Sequence, residues 1–241
     1  YLFKNLLNKN SYIITDEDNK EFKAIKNIAS SKKIKKKTIG TKSGNIKILH
    51  IKYNEGKQIV KIDFNSKIFS LEIPLIGSFQ IKNLFMAVLA ALNCGLSEKK
   101  IFSQIHKIKS VPGRLECVGT LHNNSNIIID FAHTPEALRQ SLIALKKQFR
   151  KEIIIVFGCG GERDKKKRLY MGKIAKKYCR KIFVTDDNPR NENPKIIRNN
   201  ILKGCGKLAV DIPNRKEAIK LPLLKSRVSF SNQPVCNDRQ P

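Results

Sequence analysis

The 241-residue sequence predicts an α/β protein built in two parts. Three observations carry this. From Ile127 onward, short apolar runs alternate with helix-length segments, the pattern of a mostly parallel sheet with right-handed crossovers. Between Ile46 and Ile73 short stretches alternate apolar and polar residues, as in antiparallel strands. Val111-Pro112-Gly113 breaks the pattern between the two regions and sets a domain boundary near residue 110.

In chain order, Leu2–Leu7 reads as the end of an amphipathic helix, and Ser11–Thr15 as a strand ending in the polar loop Asp16-Glu17-Asp18-Asn19. Residues 20–30 place Phe22, Ile25, Ile28 and Ala29 on one helical face. The run Lys32-Lys33-Ile34-Lys35-Lys36-Lys37 reads as a solvated surface segment. Ile46–Ile48, Ile59–Ile62 and Ile68–Leu71 read as antiparallel strands, with a turn at Glu55-Gly56-Lys57. A Leu- and Ala-rich helix from Ile81 to Cys94 ends at Gly95, and Ser97 caps a further helix through Ile101, Ile105 and Ile108. In the second part, Ile127–Ile129, Ile153–Phe157 and Lys181–Thr185 read as strands. Helices are expected at 135–149, 168–180 and 194–202, the first with Thr134 as N-cap and Pro135 at its first position. From Leu221 to Pro241 no periodicity is sustained, and the segment reads as an aberrant, unstructured or frame-shifted tail.

Charge and composition narrow the function. Net charge is +28, from 48 Lys+Arg against 20 Asp+Glu. The lysines are spread over the whole chain, as a Lys-, Asn- and Ile-rich composition gives, and no aromatic-interleaved basic motif or zinc-finger spacing accompanies them. This favours no nucleic-acid partner. There is no apolar run long enough to span a bilayer and no signal peptide, so no membrane role is expected. Six cysteines without a CxxC pair fit a reduced, cytoplasmic protein. Tyr1-Leu2-Phe3 opens in mid-pattern without Met, which reads as a fragment.

The stretch Val184–Pro194 concentrates chemistry at a strand end, where open α/β sheets place ligands. Asn188-Pro189 forms a stiff turn. Asp187 offers an acceptor for an ammonium, Asn188 an amide of either polarity, and Arg190 a fork for a carboxylate. That is a cradle for an amino acid; the plainer reading is a polar loop. Phe157-Gly158-Cys159-Gly160-Gly161-Glu162-Arg163-Asp164 follows another buried strand, and its glycines allow a ligand close to the backbone. Gly158 and Gly160 fit a dinucleotide fingerprint whose third glycine is replaced by Arg163, and Asp186 ends the next strand. A Rossmann-like dinucleotide-binding module, or a basic nucleic-acid-binding module, is therefore the alternative reading. Asp130 and His133 lie between a strand end and a helix N-terminus, placed for ribose and phosphate. Arg114 sits at the inter-domain hinge and could reach phosphate.

Taken in order, Gly77-x-Phe79-x-x-x-Asn83, Pro112-Gly113-Arg114-Leu115-Glu116, Asp130-Phe131-Ala132-His133-Thr134-Pro135, the Gly-Cys-Gly-Gly stretch with Arg163-Asp164 and Lys167-Arg168, and Asp187-Asn188-Pro189-Arg190 closely resemble the Mur ligases, and among them the diaminopimelate-adding kind. The resemblance covers roughly residues 1–220 and is strongest over 74–194. It implies that residues 1–109 are the back part of a central P-loop-type ATPase domain, and residues 110–220 most of a Rossmann-like C-terminal ligase domain. It implies ATP-dependent amide bond formation in peptidoglycan biosynthesis, adding meso-diaminopimelate to UDP-N-acetylmuramoyl-L-alanyl-D-glutamate. ATP and magnesium are implied with it, in a monomer. Asn83 matches the position near adenine, although Gln80 stands where the family has Asn. Arg114 matches the phosphate arginine and Asp130 the ribose partner. Arg163, Asp187, Asn188 and Arg190 match the positions that hold the incoming amino acid.

The family's Gly-rich phosphate loop and its C-terminal Gly-Lys-Gly-His-Glu stretch do not occur in this sequence, and the carbamylated-lysine region is not in it. The expectation is that these 241 residues alone have no ligase activity.

Overall fold

The computed structural model describes residues 5–54 and 56–224, and the chain divides after Ser110 into two compact units. The first holds β1 (Tyr12–Asp16), α1 (Phe22–Ser31), β2 (Lys35–Gly40), β3 (Ile46–Asn54), β4 (Lys57–Phe64), β5 (Lys67–Ile73), α2 (Ser78–Asn93) and α3 (Glu98–Phe102). Its five-stranded sheet runs β1-β2-β3-β4-β5, with β1, β2 and β3 parallel and β3, β4 and β5 antiparallel. The expected antiparallel meander over 46–73 is therefore present. The β4–β5 turn has positive φ at both Asn65 and Ser66, the geometry that matches strand twist in a tight hairpin.

The lysine run is solvated as expected at Lys33, Lys35 and Lys36, but it is not an irregular segment. Lys35–Lys37 open β2, an interior strand. The sequence hid this because β2 meets β3 only at Ile39 and Gly40, so Lys35 and Lys36 stay exposed while Ile34, Thr38 and Ile39 are buried. α2 lays Ile81, Phe85, Val88 and Leu89 on the sheet, an i, i+4, i+7, i+8 stripe. The helix expected to run from Ser97 to Ile108 is α3 followed by a separate 3-10 turn at Ile105–Lys107, which buries Ile105. Ser103 donates its hydroxyl to the Lys100 carbonyl where α3 stops, a local bond that competes with helix continuation.

The second unit holds β6 (Glu116–Thr120), β7 (Asn126–Ile129), α4 (Pro135–Phe149), β8 (Ile154–Phe157), α5 (Lys166–Tyr178), β9 (Lys181–Val184), α6 (Pro194–Cys205), β10 (Ala209–Asp211) and α7 (Arg215–Leu224). β8, β9 and β10 form a parallel sheet in the order β10-β9-β8, joined by α5 and α6. Ile127–Ile129, read as its first strand, pairs antiparallel with β6 in a separate hairpin instead. Thr134 caps α4 through the Ala137 N–H at 3.2 Å, with Pro135 in the first turn. Leu221–Leu224, read as the start of the tail, form the last turn of α7. The tail from 225 onward, Glu55 and residues 2–4 of the expected Leu2–Leu7 helix lie outside the described residues.

α5 and α6 touch backbone to backbone. A Cβ on Gly172 would run into the Ile201 carbonyl, and one on Gly204 into the Leu169 carbonyl. The core beneath them is built from Leu138, Leu142, Phe157, Met171, Ala175, Ile182, Val184, Ile197 and Ile201.

Candidate functional site

The site lies where β8 and β9 end side by side. Parallel pairing sets Phe157 beside Val184, so the two loops that follow leave the sheet together. One is 158–165, the other 185–193. Their contact is tight. A Cβ on Gly158 would collide with the Thr185 carbonyl, and one on Gly161 with the Pro189 carbonyl. At Gly160 the nearest neighbour would be the Arg190 guanidinium, at 3.1 Å. These glycines make room for the neighbouring loop. α5 also begins only at Lys166, past the glycines, whereas a dinucleotide fingerprint opens its helix at them.

Polar bonds stitch the loops across this contact. The Gly161 N–H donates to the Asn188 carbonyl at 2.8 Å, and Arg190 Nη1 donates to the Gly161 carbonyl at 2.5 Å. Asn188 Oδ1 accepts the Arg190 N–H at 3.2 Å, fixing the turn, and Arg190 takes a positive φ of 49°. One terminal nitrogen of Arg190 is thus anchored to backbone, while the exposed fork keeps further N–H groups for a carboxylate. The exposed Asp187 carboxylate makes no hydrogen bond or ion pair among the described residues, nor does the exposed side chain of Arg163. Asp187, Asn188 and Arg190 come together; Arg163 stands on the facing loop.

Two residues that sequence reasoning gave no role hold this arrangement. Arg168, in the first turn of α5, is fully buried. Its Nη1 and Nη2 each donate to the Glu192 carboxylate at 2.9 Å, and Nη2 also approaches the Gly160 carbonyl at 3.4 Å. Glu192 in turn accepts the Glu162 N–H at 2.5 Å, and Asn191 donates to the Glu162 carboxylate at 2.7 Å. The Arg168 guanidinium, and after it the Glu162 N–H, hold the Glu192 carboxyl down at about 2. Arg168 Nε is buried without a partner among the described residues, a loss of about 1–3 kcal/mol for such a group.

The motif residues on the other side form a second group. The Asp130 carboxylate accepts the Leu115 N–H at 3.2 Å and the Ser141 hydroxyl at 2.5 Å, and each oxygen retains a lone pair. Arg114 lies over the Phe131 ring, 5.5 Å from its centroid. His133 Nδ1 is 3.1 Å from the Phe131 carbonyl. A carbonyl only accepts, so Nδ1 carries the proton, and a neutral His133 offers Nε2 as an acceptor; only the imidazolium could donate to phosphate. Lys167, next to Arg168, donates to the His133 carbonyl at 2.9 Å and ties α5 to this loop. Asn83 lies in the first unit, exposed on α2.

The dinucleotide alternative loses support here. The Asp186 carboxylate, the candidate ribose partner of a dinucleotide site, is paired with Arg198. Cys159, among the glycines, is buried against Met171, and burial pushes its thiol up to about 11, so it is no nucleophile. No cluster of three His, Cys, Asp or Glu able to hold a metal ion occurs among the described residues. No helix among them is long and apolar enough to cross a membrane.

Comparison with known proteins bears on this geometry. Residues 1–91 match the family model of the Mur ligase middle domain, and residues 113–227 that of the Mur ligase, glutamate ligase domain. The chain is 40% identical over 222 residues to the UDP-N-acetylmuramoyl-L-alanyl-D-glutamate--2,6-diaminopimelate ligase of Rickettsia montanensis, covering 91% of this chain and 45% of that protein. It is 34% identical over 219 residues to the ligase of the same name from Chelativorans sp. strain BNC1, covering 91% of this chain and 45% of that protein. The chain thus spans about half the length of the curated relatives it matches. A solved structure of a UDP-N-acetylmuramoyl-L-alanyl-D-glutamate--2,6-diaminopimelate ligase superposes with a TM-score of 0.61 at 26% identity, over 94% of this chain and 47% of that one. Mycobacterium tuberculosis folylpolyglutamate synthase complexed with ADP shares the fold, with a TM-score of 0.67 at 16% identity over 84% of this chain and 45% of that one.

Proposed function

The chain belongs to the Mur ligase family, and from that membership we propose that the protein carrying it forms an amide bond at the expense of ATP, joining meso-diaminopimelate to UDP-N-acetylmuramoyl-L-alanyl-D-glutamate in the cytoplasm. The observation that carries the substrate assignment is the Asp187–Arg190 turn. It sets a free carboxylate beside a guanidinium whose anchor on Gly161 leaves its fork for an anion.

In this reading Asp187 receives the ammonium of the incoming amino acid and Asn188 orients it. Arg190 takes a carboxylate, and Arg163 adds positive charge from the facing loop. ATP would phosphorylate the glutamate carboxylate of the acceptor, releasing ADP. The amine, once it has lost its proton to solvent, would attack that acyl phosphate, and the tetrahedral intermediate would expel inorganic phosphate to leave the amide. The protein's contribution is to hold the two reacting groups in line. By the same family resemblance Arg114, Asp130 and His133 are proposed for the phosphates and ribose of ATP, and Asn83, on α2, for its adenine. Meso-diaminopimelate has a second carboxylate that lysine lacks. A site in which Arg190 takes that second carboxylate would favour diaminopimelate over lysine, because with lysine the free part of the fork would lose its anionic partner.

The test is steady-state kinetics of the ligase that contains this segment, with diaminopimelate and with lysine. We expect diaminopimelate to be strongly preferred and Arg190→Ala to erase the preference. Equal use of lysine by the wild type, or an unchanged preference in the variant, rejects the assignment. The 241-residue chain, which has no Gly-rich phosphate loop, is expected to give no turnover in the same assay.

A further inference from the structure

We propose that Arg168 is a positioning residue for the incoming amino acid, acting through Glu192 to hold the Asn188–Arg190 turn against the facing 158–165 loop. This rests on the amino-acid site proposed above. Arg168 is fully buried, so it touches no substrate. Its two bonds to Glu192 pin the end of the 185–193 loop, and its approach to the Gly160 carbonyl pins the facing loop. Glu192 passes the constraint to Glu162 through its N–H, and Gly161, the next residue back, holds both Asn188 and Arg190. A continuous chain of polar bonds therefore runs from α5 to the residues that would grip the substrate.

Stability alone does not account for this pair. Buried ion pairs are often replaced by apolar residues without loss, and here a buried N–H of the guanidinium is left unmet. What an apolar pair could not do is bond both loops at fixed angles. The bidentate fork sets the orientation as well as the separation of the two loops. Removing it would leave Asn188 and Arg190 chemically intact but no longer held in place against the facing loop.

Arg168→Met, Arg168→Lys and Glu192→Gln in the complete ligase test this by steady-state kinetics with each substrate varied in turn. The expected result is a KM for diaminopimelate raised at least ten-fold in Arg168→Met and Glu192→Gln, with the KM for ATP within two-fold of wild type. Arg168→Lys, which keeps one charged bond, should fall between. A uniform rise in both KM values, or a fall in kcat with both KM values unchanged, overturns the proposal. Should Arg168→Met fail to fold, Glu192→Gln, which preserves shape, carries the same readout. A wild-type ligase that uses lysine would overturn the substrate assignment and leave this split to be read on lysine.

Discussion

Lys82, near the start of α2, reaches Asp16 at the end of β1, its ammonium 2.7 Å from the carboxylate. It also meets the more exposed Asp18 at 2.8 Å, while Lys82 and Asp16 are partly buried. Burial alone would raise the Asp18 carboxyl, but hydrogen bonds from Lys82 and Thr41 outweigh it and hold it below its usual value. Replacing Lys82 by Met leaves two carboxylates facing each other with no cation. We expect a loss of about 1–2 kcal/mol, from a half-buried network in which one partner is removed, read as a lowered urea midpoint at unchanged slope.

Gln58 is fully buried on β4 and donates Nε2 to the Leu75 carbonyl at 2.6 Å and the Gly77 carbonyl at 3.3 Å, while Oε1 has no partner among the described residues. It therefore shapes the chain that enters α2. Gln58→Ala removes the donor and opens a cavity, at about 2–4 kcal/mol. Gln58→Leu fills the space and removes the unmet oxygen, so its cost should be smaller. Thermal unfolding of the two variants gives the order directly; Leu as costly as Ala would contradict it.

Gly161 has no room for a methyl group, because the Pro189 carbonyl occupies the position. Gly161→Ala should cost about 1–3 kcal/mol by overpacking and weaken amino-acid binding as the loops part. Gly119→Ala is the control. Its added Cβ would meet only Ile127 Cδ1 at 3.9 Å, an ordinary contact, so a change within about 0.5 kcal/mol is expected.

Glu192 supplies a pH signature. Its carboxyl lies at about 2 in the folded chain against 4.5 as the ordinary value, mainly because of Arg168. A depressed folded value means that its stabilisation is complete above 4.5 and is lost as pH falls toward about 2. Glu192→Gln should therefore flatten the fall in stability across that window relative to wild type, as measured by urea titrations at each pH. An identical slope in both proteins would show that the pair does not titrate with folding.

How much of this was written legibly in the sequence depends on range. Thr134 and Pro135 announce α4 because capping chemistry is local. The strands before Gly158 and Thr185 are short buried runs, and the polar stretches that follow them do come together. Arg168 and Glu192 were not legible. They stand 24 residues apart, and each alone looks like a surface charge; only the pairing of β8 with β9 brings them into register. The same limit hid β2, whose lysines contradict an interior strand until its one-sided pairing is known, and β10, three residues long, which is too short to show a period.

The backbone contact of α5 with α6 has a consequence at a distance. α5 follows the glycine loop, and α6 begins at Pro194, directly after the Asp-Asn-Pro-Arg turn. Gly172 and Gly204 let the two rods lie flush. A single methyl at either point would work as a shim between the rods. How closely the elements behind both loops approach is thus gauged by two missing side chains, and a search for altered function confined to the loops would pass them by.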